Sequence, residues 1–154
     1  MYRPVTASSR TRRRKGGAAG EMAIILPLLV TLLLAAADFG RFASLYIALA
    51  NAARAGAQYG AMNNYSSSTL GTETTSGTWK YNVAQAAKNE IANQYASSGL
   101  TVTVATPTAD GNGVRHAKVT AKYTFTTLIN WNWTGLNLPH SMDLTQQAEL
   151  PIVR

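Results

Sequence analysis

Sixteen consecutive residues, 22–37 (MAIILPLLVTLLLAAA), carry no charge, and this run constrains the chain more than anything else in it. Counted back to Gly17, past Glu21, the segment reaches about twenty residues, roughly 30 Å of helix, which matches the hydrocarbon thickness of a bilayer. Pro27 lies inside it and predicts a kink, which a membrane helix tolerates better than a soluble one. Arg3, Arg10, Arg12, Arg13, Arg14 and Lys15 precede the run with no acid among them. The net charge of +7 therefore belongs to the tail, because the chain from Gly16 onward carries eight basic and seven acidic residues. Basic residues directly before an apolar span mark the cytoplasmic side. A nucleic-acid interface would need them spread over a folded face, so that class of partner is disfavoured. The chain has no cysteine, which excludes disulfides and thiolate metal sites.

Helical periodicity continues beyond Asp38. Phe39, Phe42, Tyr46, Leu49 and Ala53 recur at spacings of three and four, which predicts one helix over about residues 20–62. Two small-residue series, Ala53-Ala57-Ala61 and Ala52-Gly56-Gly60, permit close approach of another backbone; an Ala-rich helix of high propensity is the plainer account of them. A Ser/Thr/Asn/Gly loop follows at 63–78, then a second helix over 79–97 with Ala84, Ala87, Ile91 and Tyr95 on one face and Gly99 as its C-cap. Leu100, Val102 and Val104 alternate with threonines, and Ala117, Val119, Ala121, Tyr123 and Phe125 alternate with Lys118, Thr120, Lys122 and Thr124. The Asp110-Gly111-Asn112-Gly113 turn between them predicts an antiparallel pair. A last strand is expected over 142–153, after an irregular connection carrying Trp131 and Trp133. The expected fold class is α+β: a long N-terminal helix, a short helix and a three-stranded antiparallel sheet. The expected organisation is a basic leader at 1–16, a transmembrane helix at 17–38 and an extracytoplasmic domain at 39–154.

Glu21 is a carboxylate within a turn of the apolar run, where burial in lipid is costly unless compensated. With the basic run and Gly16-Gly17 before it, and Pro27 after it, the segment resembles the prepilin-peptidase leader of type IV pilin-like proteins. That resemblance implies cleavage after Gly16, leaving Gly17 as the first mature residue and Glu21 as the fifth. Gly17 departs from common pilins, which begin with a bulky apolar residue. The longer stretch from Gly16 to Ala61 is similar to the N-terminal signature of TadE-like proteins, pseudopilin or minor-pilin components of tight-adherence (Flp, type IVc) pilus systems. The residues that carry the similarity are Glu21, Pro27, Asp38-Phe39-Gly40-Arg41 and Asn51-Ala52-Ala53-Arg54-Ala55-Gly56-Ala57. The resemblance implies a non-enzymatic role in pilus assembly at the bacterial inner membrane, with membrane lipid, other pilin-like subunits, the Tad assembly machinery and a prepilin peptidase as partners, and no cofactor. Glu21, Pro27, Asp38, Arg41, Ala53, Arg54, Gly56, Ala57 and Gly60 are the expected subunit or helix-packing positions.

Asp38 and Arg41 are three apart on one helical face and suit a weak ion pair, about 0.2–0.5 kcal/mol, at the outer membrane boundary. Arg54 either snorkels to water or meets a carboxylate on another subunit. His116 and His140 have no second histidine or cysteine at metal spacing, so no metal site is expected, and no phosphate loop or nucleophile elbow is present. Two rival readings stay open: an uncleaved membrane-anchored accessory protein, or a secreted binding module released by signal peptidase near Ala37, at the small-residue site Ala35-x-Ala37.

Overall fold

A computed structural model describes residues 17–63, 65–130 and 139–152, the side chain of Ser97 excepted. The leader at 1–16, with Gly16, and the two tryptophans Trp131 and Trp133 fall outside the described residues. The architecture is α+β. Helix α1 runs Gly17–Met62, α2 runs Trp79–Ile91, and a 3₁₀ turn covers Ser97–Gly99. Strands β1 (Leu100–Val104), β2 (His116–Thr126) and β3 (Ser141–Pro151) form one antiparallel sheet in the order β1-β2-β3. The chain divides into two compact units, with the boundary between Ala36 and Ala37.

In the first unit, the described residues 17–36 are all helical. Large apolar side chains here stay uncovered, among them Ile24, Leu28 and Leu33 at 79%, 61% and 69% exposure. Helix α1 continues through Pro27. Proline removes the N–H that Ala23's carbonyl would otherwise accept, and the Thr31 hydroxyl donates to the Pro27 carbonyl at 2.8 Å.

The second unit, Ala37–Arg154, holds the core. Its part of α1 buries Leu45, Ala48, Leu49, Ala52, Ala53, Gly56, Ala57, Gly60 and Ala61. Of the expected stripe, Leu49 and Ala53 are buried and Phe42 packs against the core, whereas Phe39 and Tyr46 are exposed at 70% and 47%. The physical reason is close packing. A Cβ on Gly56 would stand 3.1 Å from Ala87 Cβ and 3.2 Å from Val119 Cγ1, and one on Gly60 would stand 3.0 Å from Ala117 Cβ. Small side chains on α1 therefore let α2 and β2 come near its backbone. Val83, Ala84, Ala87 and Ile91 of α2 and alternate residues of the sheet complete the core.

Helix α2 starts where Thr78 serves as N-cap, its hydroxyl accepting from the Tyr81 N–H at 3.4 Å. The Trp79 and Lys80 N–H groups donate to the Thr69 and Leu70 carbonyls, so the first-turn donors are satisfied. Gly71, at φ +56°, lies against Thr78 where a side chain would overlap it. The helix stops at Ile91, six residues short of expectation. Tyr95 leaves it to set its ring edge-on to Tyr123, with centroids 6.1 Å apart, and its hydroxyl donates to Ser44 Oγ at 3.1 Å. Gly99 is thus no helix cap. It ends the 3₁₀ turn, where the Tyr123 ring leaves room for no Cβ.

Strand β1 alternates buried Leu100, Val102 and Val104 with exposed threonines. Central strand β2 buries Ala117, Val119, Ala121 and Phe125. Strand β3 buries only Leu144 fully and ends at Pro151, consistent with proline's confinement to sheet edges. On the outer side of β1, Glu73 Oε1 accepts from the Val104 N–H at 2.9 Å, satisfying one donor of that edge.

Candidate functional site

The sequence-selected residues separate into three places. Gly17 and Glu21 are exposed in the first turns of α1, and Pro27 follows on the same uncovered apolar stretch. Among the described residues, α1 is the one helix long and apolar enough to cross a membrane. Ala53, Gly56, Ala57 and Gly60 are buried, and the neighbours of the two glycines are α2 and the sheet of the same chain. The close approach they permit is taken up inside the domain. Arg54 is exposed on the opposite side of the helix and forms no ion pair among the described residues.

Asp38 and Arg41 make the third place. Asp38 is 6% exposed. Its Oδ1 accepts from the Leu128 backbone N–H at 2.8 Å and from Arg41 Nη1 at 3.3 Å. The expected helical ion pair therefore exists, but its carboxylate also holds the segment that leaves β2 against α1. The Arg41 guanidinium lies 5.5 Å from the centroid of the Phe125 ring, and Phe42 meets that ring edge-on at 5.7 Å. Such contacts are worth about 0.5–1 kcal/mol each where partly exposed. The role of Asp38 was not readable from sequence, since its partner is a backbone group 90 residues away.

The open face of the sheet brings together charges that lie far apart in sequence. His116 Nε2 is 3.3 Å from Asp110 Oδ2, and its Nδ1 is 3.5 Å from Glu149 Oε1. Among the described residues no group of three or more His, Cys, Asp or Glu side chains is arranged to hold a metal ion. Asp110 is held below the usual aspartate value of 3.8, chiefly by the N–H groups of Val114 and Asn112 that its carboxylate accepts. Asp143 is also held below it, first by Lys122 Nζ at 2.8 Å and then by the Thr124 hydroxyl at 2.7 Å. Both carboxyls bind their proton more weakly when folded than when unfolded. Their contribution to stability is therefore present above about pH 4 and lost as the pH falls through the folded values. Thermal melting between pH 6 and pH 2 should show a small acid-side decline, and D110N with D143N should flatten it. An unchanged decline in the double variant would assign it to other groups.

The comparisons with known proteins bear on the helix rather than on the sheet. Residues 16–58 match the family model of TadE-like protein. No curated protein and no solved structure matches the chain. The TadE-like segment is just over a quarter of the chain. It takes in Gly16, Gly17, Glu21 and Pro27, the Asp38–Arg41 cluster and the core positions Ala53, Gly56 and Ala57, and it stops short of Gly60. The same segment thus contains the uncovered apolar run and most of the helical face on which the domain is built.

Proposed function

We propose that the chain is a TadE-like pseudopilin or minor pilin, a non-enzymatic component of tight-adherence pilus assembly. In this reading residues 17–38 anchor it in the bacterial inner membrane with the N-terminus cytoplasmic and the domain outside, and a prepilin peptidase removes residues 1–16. The observation that carries the proposal is the TadE-like match over 16–58, which coincides with an uncovered apolar helix bearing the single exposed carboxylate Glu21. After cleavage the Gly17 amine is positive and Glu21 negative. Subunits packed through their helices would neutralise the two charges against each other, relieving the cost of a carboxylate in lipid. The partners are then other pilin-like subunits and the Tad assembly machinery.

One observation favours a second reading. The compact domain begins at Ala37, so cleavage near that residue would release a module with its core intact. The mass of the protein from its native membranes separates the possibilities. A chain starting at Gly17 is expected. A start at Ala37 or Asp38 would make the protein a secreted module, and an intact leader would leave an anchored accessory protein. In the same strain, E21A is expected to insert normally and fail to enter the assembly. Normal pilus formation by E21A would overturn the charge-pairing mechanism.

A further inference from the structure

His116 opens β2 with a carboxylate at each ring nitrogen. Its Nε2 is 3.3 Å from Asp110 Oδ2 in the turn before β2, and its Nδ1 is 3.5 Å from Glu149 Oε1 near the end of β3. Lys118, two residues along β2, lies directly across from Glu149 in the register and makes no ion pair among the described residues. Arg115, the other cation beside the ring in sequence, is turned onto Tyr65, 5.3 Å from its ring centroid. Asp110 from the turn, Glu149 from β3 and Lys118 from β2 are thus the charged groups that share a cleft with the imidazole.

A neutral imidazole carries one N–H, and only the imidazolium carries two. With the ring charged, both nitrogens donate and both carboxylates accept. With the ring neutral, one nitrogen turns a lone pair toward a carboxylate, and that contact becomes repulsive. The surroundings decide which contact is lost. Asp110 Oδ1 accepts the N–H groups of Asn112 and Val114 at 2.8 and 2.9 Å, so this carboxylate is fixed in place and retains the proton on Nε2. Glu149 is 45% exposed, on a longer side chain, and has a lysine across the strand pair to receive it.

We propose that Glu149 changes partner with the charge on His116, so that the end of the sheet is a proton-operated clasp. The imidazolium holds Asp110 and Glu149 together and ties the turn, β2 and β3 to one another. Loss of the Nδ1 proton to solvent leaves His116 on Asp110 alone, and Glu149 passes to Lys118. The turn is then no longer tied through the ring to the end of β3. All of these groups belong to the domain unit, and the clasp works whichever way the N-terminal segment is processed.

The full-length protein, labelled with carbon-13 and nitrogen-15 and held in detergent, is followed by NMR from about pH 8 to about pH 5, the range in which an imidazole ordinarily changes charge and a carboxyl group does not. The chain has two histidines, so H140Q leaves His116 as the sole ring to be observed. Both ring nitrogens are expected to be protonated at the acid end, and Nε2 alone at the alkaline end. The side-chain carboxyl carbon of Glu149 is expected to move with the same midpoint as the ring, several-fold further than that of Glu90 on α2. In K118M the Glu149 signal should keep its acid-end position and change its alkaline-end position. A Glu149 signal that ignores the His116 titration would overturn the clasp, as would a neutral ring protonated on Nδ1. If K118M leaves both ends of the Glu149 titration unaltered, the exchange of partners is wrong.

Discussion

Replacing Leu49 by alanine is expected to lower the unfolding free energy by about 2–5 kcal/mol. Leu49 is completely buried on the inner face of α1, within the core that α2 and the sheet close around. Its neighbours along that face are mostly alanine and glycine, whose short side chains cannot swing in to fill a cavity. The lost transfer energy is therefore joined by an unrelaxed void. Tyr46→Ala is the control, since that ring is 47% exposed on the same helix and its removal should cost well under the Leu49 value. Urea denaturation in detergent compares the two. Equal losses would mean that the buried face of α1 has been misplaced.

Gly60→Leu tests the opposite limit. A Cβ at position 60 would already approach Ala117 Cβ and Trp79 Cζ2 to 3.0 Å and Val83 Cγ2 to 3.2 Å. Three further carbons have no space, and overpacking of this kind costs about 1–3 kcal/mol, with the upper end expected here because the obstacles come from both α2 and β2. Gly60→Ala separates crowding from helix propensity. Its gain of about 1 kcal/mol in propensity offsets a contact that needs neighbours to give by only a few tenths of an ångström. The leucine variant should melt far below the wild type and the alanine variant near it. If both melt alike, the glycine is not at a crowded contact.

These two positions also show what the sequence reveals and what it conceals. The strict alternation in β1 and β2 fixes their burial because a strand has only two faces, and the structure follows it residue by residue over Leu100–Val104 and through most of His116–Thr126. A helix has no such binary choice. The expected stripe meets the core at Phe42, Leu49 and Ala53 but not at Phe39 and Tyr46, because the buried side is marked chiefly by small residues that matter for how close the sheet can come. The end of α2 was obscured by Tyr95, which fits the helical period yet is held by Ser44 and Tyr123. Asp38 gave even less warning: its charge is visible in sequence, but a backbone N–H has no sequence signature. Nor does the spacing of Asp110, His116 and Glu149 reveal their meeting, which follows from the β2–β3 register and the turn geometry.

The position of β2 in the middle of the sheet has a consequence for the order in which the chain is made. Gly60 packs against Ala117, a residue that leaves the ribosome 57 positions later, or roughly 3–11 s at ordinary elongation rates. Within that interval α2 and then β1 are made, but the strand that closes their core and pairs with β1 is still missing. Apart from Leu45 and Leu49, the inner face of α1 is made of alanine and glycine and displays little greasy surface while it waits. A nascent chain arrested before residue 117 should consequently remain sensitive to protease throughout the domain, acquiring resistance only after β2 has emerged.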